Sequence, residues 1–141
     1  MSNIVFLGNH YLTDPKAVKN WINKIIEQES FTVEVLNYQF VNDHEMLKVN
    51  KKYLDHDTYT DIITFDYTEG HKLSADIYIS TERVSENAVE FNTSYSQEMT
   101  RVLIHGVLHC IGYADKTPQE KQIMRNKENE TLKLFHVEHK I

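Results

Sequence analysis

Apolar residues return at helical spacing over positions 17–27, where Val18, Trp21, Ile22, Ile25 and Ile26 share one face of a 3.6-residue turn. Asp14 and Pro15 precede them as a cap and a first-turn proline, so a helix is predicted there. Positions 4–7 and 32–40 read instead as strands, the first a short β-prone run and the second an alternation of apolar and polar residues. Asn42, with Glu45 three residues later, has the capping pattern of a second helix reaching about position 53. Positions 60–67 and 75–80 are rich in Ile, Thr and aromatic residues and flank Gly70, which predicts two strands joined by a hairpin loop. Beyond them the pattern turns helical. Ser80 or Thr81 caps a helix to about Phe91, Thr93 or Ser94 starts a longer one through Ile111, and Thr117-Pro118-Gln119-Glu120 opens a last one. No internal repeat or low-complexity run breaks the chain, so one domain over residues 1–141 is expected. Four strands and a helix-rich second half predict an α+β fold, a mostly mixed four-stranded sheet packed with about five helices.

Composition adds limits. Hydrophobic residues make up 40% of 141 positions, with only 4 Gly and 2 Pro, which is the makeup of an ordered protein with a core of its own. The lone Cys110 cannot form an intramolecular disulfide, and the first residues have neither the basic start nor the apolar run of a signal peptide. No stretch approaches the ~20 apolar residues of a membrane span, so a cytoplasmic protein without membrane contact is expected. Fifteen Lys and Arg against 21 Asp and Glu leave a net charge of −6, which counts against broad contact with nucleic acid. A metal ion or a local basic patch can still set the field within one cleft.

The candidate chemistry lies at the end of the apolar helix, in Leu103-Ile104-His105-Gly106-Val107-Leu108-His109-Cys110-Ile111-Gly112. Two histidines four positions apart sit on one helical face with β-carbons about 5 to 6 Å apart, close enough for both imidazoles to meet one ion. Gly112 stands where a helix ends in a left-handed residue and turns Asp115 back toward the same point. Most histidine pairs at this spacing are ordinary helix residues. Gly106 shifts the balance, because a glycine inside a helix costs about 1 kcal/mol relative to alanine and implies a close approach to that backbone. A His-Glu-x-x-His peptidase would carry its general base at the position of Gly106.

At these residues the chain resembles the YbeY family of metal-dependent endoribonucleases of ribosomal RNA maturation, whose signature is His-Gly-x-Leu-His-x-x-Gly-Tyr-Asp-His. His105 to Tyr113 agree with it at every specified position. Asn50-Lys51-Lys52-Tyr53, Asp57 and Thr60-Asp61-Ile62-Ile63-Thr64-Phe65 are similar to a second family block, and Asp76-Ile77-Tyr78-Ile79-Ser80 to a third. Glu98, Met124 and Glu128 also fit, so the resemblance spans roughly residues 42–134. It implies a single-strand-directed endoribonuclease with one zinc or other divalent metal per chain, acting on rRNA or ribosomal particles.

Two positions depart from the family pattern. Ala114-Asp115 replaces its closing Asp-His, so Asp115 falls where the third histidine ligand stands and the expected ligand set is His105, His109 and Asp115. Zinc accepts a carboxylate oxygen, and three protein ligands leave one position open, as a catalytic site requires. Leu54 stands where the family has an arginine that serves the substrate, so that role falls to Lys51, Lys52, Lys116 or Arg125 or is absent. Thr60, Asp61, Asp76 and Thr64 are candidate cleft residues through the resemblance. Arg101, one turn before His105, can meet a phosphate or pair with Glu98. Cys110 reads as a small buried apolar residue rather than a ligand, and His136 and His139 as complements to a helix dipole. Two other readings stand beside the ribonuclease: another zinc hydrolase such as a peptidase, and a ribosome-associated protein with a structural or vestigial metal.

Overall fold

The computed structural model describes residues 3–54 and 60–139. Its elements run β1 (Ile4–Leu7), α1 (Pro15–Gln28), β2 (Thr32–Val41), α2 (Asp43–Leu54), β3 (Ile62–Asp66), β4 (Lys72–Ser80), α3 (Thr81–Glu90), α4 (Tyr95–Ile111) and α5 (Pro118–His139). The sheet has the order β1-β2-β4-β3, with β1, β2 and β4 parallel and β3 antiparallel to β4. This is the mixed four-stranded α+β arrangement that the apolar pattern predicts.

Local chemistry sets most of the boundaries. Asp14 caps α1 by accepting from the Ala17 N–H, and the helix starts at Pro15, two residues earlier than its apolar stripe. Asn42 and Glu45 satisfy each other's backbone N–H groups in a reciprocal capping box, and Thr117 and Glu120 do the same at α5. Ser80 and Ser94, rather than Thr81 and Thr93, cap α3 and α4. The hairpin strands are shifted against expectation. Thr60 and Asp61 precede β3, while β4 begins at Lys72, because the strand pairing extends back to the Glu69–Lys72 bridge.

One face of the sheet, carrying Leu36, Tyr38, Phe40, Ala75 and Ile77, packs against α1 and α4 in a continuous apolar cluster. The Tyr38 hydroxyl donates to the Leu103 carbonyl at 2.9 Å, so the sheet is also hydrogen-bonded to the middle of α4. Gly106 explains how closely α4 approaches. A β-carbon there would lie 2.9 Å from Ile77 Cδ1 and 3.1 Å from Ile62 Cδ1, so the close neighbour implied by this glycine is the sheet. Helix α5 packs on α4 and α1, where Trp21 donates its indole N–H to the Thr131 carbonyl and meets the Phe135 ring in a tilted contact, centroids 4.9 Å apart. The stripe Met124, Glu128, Thr131, Leu132 and Phe135 faces inward, with one carboxylate among apolar neighbours. No helix among the described residues is long and apolar enough to cross a membrane.

Candidate metal centre

Helix α4 presents His105 and His109 one turn apart, with ring centroids 4.7 Å from each other. The helix ends at Gly112, whose φ of 125° is open to glycine and strained for other residues. Nothing lies within 4 Å of where its β-carbon would be, so the requirement is conformational and not steric. The reversed chain is pinned by Tyr113, which donates its N–H to the Leu108 carbonyl and its hydroxyl to Glu29 at the end of α1. Asp115 is thereby returned to the histidines. Its Oδ2 lies 3.4 Å from Nε2 of His105 and 3.4 Å from Nε2 of His109.

The three candidate ligand atoms all lie within 4.8 Å of one another. Two donors bound to one tetrahedral zinc at ordinary bond lengths stand roughly 3.3 Å apart, so both 3.4 Å separations already match an ion's ligand spacing. The donor set of two imidazoles and a carboxylate suits zinc or a comparable divalent ion.

The second nitrogen of His105 is also committed. Nδ1 lies 2.6 Å from Oε2 of Glu128 on α5, and Oε1 of Glu128 accepts from Arg101 Nη1 at 2.9 Å. Arg101 completes its contacts with Asn129 at 2.9 Å. It therefore pairs with Glu128 and not with Glu98, the partner considered from sequence. The carboxylate fixes a proton on Nδ1 and leaves the Nε2 lone pair directed at the ligand cluster. Burial opposes a charged His105, yet Glu128, Asp115 and Asp61 outweigh it and raise its pKa above the ordinary 6.5. Burial likewise opposes an ionised Glu128, but His105 and Arg101 hold its carboxyl below the usual range. The role of Glu128 was not assigned from sequence. The signal was a carboxylate at an inward position of the α5 stripe, since buried charges are retained where they have partners.

The cluster opens into a cleft of about 390 Å³ lined in part by Asp61, Arg101, His105, Asp115, Lys121 and Arg125. Asp61 is placed there as the resemblance implied, accepting from Asn87 at 3.3 Å, and burial pushes its carboxyl above the ordinary range. Thr60 lies beside it but turns its hydroxyl to the Ile62 carbonyl. Thr64 lies against Gly106 beneath the helix. Asp76 is not brought to the cleft. It alternates with Ala75 and Ile77 on β4, so its side chain emerges on the opposite face, where it accepts from Asn37 at 3.1 Å. Of the candidate substitutes for a cation at position 54, Arg125 borders the cleft, while Lys51 and Lys52 are exposed on α2 and Lys116 does not line it. Lys121, not foreseen, does. Cys110 is buried, and burial together with Asp66 pushes its thiol up to about 12. Asp57 and the side chains of Leu54, His136 and His139 lie outside the described residues.

The family described as endoribonuclease YbeY matches residues 8–136. The endoribonuclease YbeY of Christiangramia forsetii is 54% identical over 120 residues, covering 85% of this chain and 84% of that protein. The one from Flavobacterium johnsoniae is 44% identical over 138 residues, covering 98% and 99%. Among solved structures, the solution structure of TM1509 from Thermotoga maritima superposes with a TM-score of 0.67 at 28% identity, covering 96% of this chain and 90% of that one. The family match spans the residues that build the ligand cluster, the two relatives are 54% and 44% identical over most of both chains, and the chain belongs to the endoribonuclease YbeY family.

Proposed function

We propose that this chain is a metal-dependent endoribonuclease that cuts single-stranded RNA during rRNA maturation, acting on ribosomal particles in the cytoplasm. The observation that carries the reading is the convergence of His105, His109 and Asp115 at ligand spacing, beside a cleft that His105 and Asp115 line together with Arg101, Lys121 and Arg125. The names of the relatives and the family membership support RNA as the substrate. A buried, unpaired Cys110 fits a reducing compartment.

Zinc bound by the three side chains would supply Lewis acidity next to the scissile phosphodiester. The protein's own part is to orient and to balance charge. Glu128 holds the His105 ring in one tautomer, and Arg101 keeps Glu128 ionised. Arg125 and Lys121 stand at the cleft as cations for phosphate oxygens, which answers the loss of an arginine at position 54. The overall charge of −6 is thus no obstacle, because the field in the cleft is local. Gly106 occupies the place of a peptidase general base and packs on the sheet, so nothing in this site favours peptide hydrolysis.

The test is elemental analysis of purified protein beside His109→Ala and Asp115→Ala, followed by incubation of each with unstructured RNA. One equivalent of zinc and internal cleavage in the parent, both lost in His109→Ala, is the expected result. RNA left intact by the metal-loaded parent across a range of pH would overturn the reading.

A further inference from the structure

We infer that single-stranded RNA leaves the metal cleft along a second groove, its phosphates following a ladder of cations on α5 and one base stacking on Phe91. This rests on the ribonuclease reading and extends it to the part of the substrate away from the cut. The cleft does not end at Arg101. A groove of about 530 Å³ continues from it, and Phe91, Glu98, Arg101 and Arg125 line both spaces.

Lys121, Arg125, Asn129 and Lys133 stand four residues apart on α5, which places them on one ridge with a rise of about 6 Å per step. Lys121 borders the metal cleft, Arg125 both spaces, and Asn129 and Lys133 the second groove. Such a step is on the scale of one nucleotide in an extended strand. Among the described residues Lys121 and Lys133 have no ion-pair partner. Arg125 lies 3.9 Å from Glu128, a carboxylate already engaged by Arg101 and His105. Three cations therefore remain available to phosphate on a chain whose net charge is −6. Glu98 is the one carboxylate among the described residues that line the second groove, and burial pushes its carboxyl above the ordinary range.

Phe91, which caps the end of α3, is 56% exposed at the junction of the two spaces. A bare aromatic face beside a row of cations is the pairing that single-strand binders use, with stacking for the base and charge for the backbone. A duplex keeps its bases stacked on each other, so Phe91 selects the single strand.

The test is fluorescence anisotropy with labelled, unstructured RNAs from about four to about twelve nucleotides long, on the parent, Phe91→Ala, Lys133→Glu and Lys16→Glu. Lys16 lies on α1, lines neither groove, and controls for the same change of charge. Affinity in the parent should rise with length. Lys133→Glu should remove most of that rise, roughly tenfold on the longest RNA, and Phe91→Ala should weaken binding several-fold, while Lys16→Glu keeps the length dependence. Equal losses in Lys133→Glu and Lys16→Glu, or an affinity indifferent to length, would overturn the track. Cleavage scored separately distinguishes the two readings. Ladder-dependent binding without cleavage upholds the track and sinks the ribonuclease, and cleavage without length dependence does the reverse.

Discussion

Glu128 holds Nδ1 of His105 at 2.6 Å across the α4–α5 interface, and this contact selects which imidazole nitrogen faces the ligand cluster. The carboxylate is nearly inaccessible, with 6% of its side chain exposed, and the guanidinium of Arg101 balances its charge. Substituting Glu128→Gln keeps the shape but removes the charge that orients the ring. Zinc affinity should fall about 10- to 100-fold, as is usual when the partner of a ligating histidine is lost. Chelator competition measures this, and a circular dichroism spectrum like the parent's shows that the fold survives.

The third candidate ligand, Asp115, is a carboxylate beside two imidazoles. A carboxylate in the donor set lowers the Lewis acidity of the ion relative to imidazole, because it adds a negative charge. Asp115→His should therefore move the pH profile of RNA cleavage to lower pH, whereas Asp115→Ala should weaken zinc retention without abolishing it. Profiles of Asp115→His and parent that coincide would show that Asp115 is not in the donor set.

The pairing of His105 with Glu128 makes the stability of metal-free protein depend on pH in two directions. A histidine with a raised folded pKa contributes stability that is complete below its ordinary 6.5 and is lost as pH rises through the folded value. A carboxylate with a depressed pKa contributes stability that is present above its ordinary 4.5 and is lost as pH falls through the folded value. The pair thus supports the metal-free fold most between pH 4.5 and 6.5. Thermal melts of chelated parent and Glu128→Gln should differ most in that window, converge toward acid, and narrow toward alkaline pH to the part that the always-charged Arg101 keeps. A gap that keeps widening toward alkaline pH would contradict the pairing. Metal must also displace the proton from Nε2, so zinc binding at neutral pH should release protons, seen by calorimetry in buffers of different ionisation heat.

Gly112 offers a test of how the ligands are brought together. Its φ of 125° disfavours any L side chain although the space around it is open. Gly112→Ala should cost about 1 to 2 kcal/mol, a fall in Tm on the order of 2 to 8 °C. Zinc affinity should fall with it, because the turn is what returns Asp115 to the helix. A variant that loses stability but keeps its zinc affinity would show that the turn relaxes without moving Asp115.

Much of this molecule was legible along the chain because the relevant forces are local. The α1 stripe, the capping pairs Asn42–Glu45 and Thr117–Glu120, and the histidines one turn apart all act within four residues of themselves. Asp115 belongs to the same class, since only the Gly112 turn separates it from His109. Strand ends were less legible. Where β4 begins depends on its pairing with β2 and β3, which the run of residues 72–74 does not announce.

Tertiary structure alone decided the partners that come from another element. Arg101 could have met Glu98 one turn away, but the packing of α5 on α4 brings Glu128, 27 positions along the chain, to it instead. That same packing gives His105 its carboxylate and sets Lys121 at the metal cleft, Lys133 at the second groove and Arg125 at both. Asp76 shows the converse, a residue near the site in motif but turned from it by the two-residue period of its strand. Sequence spacing places side chains on a helix or strand face, whereas which faces meet is settled by burying apolar surface between elements far apart in the chain.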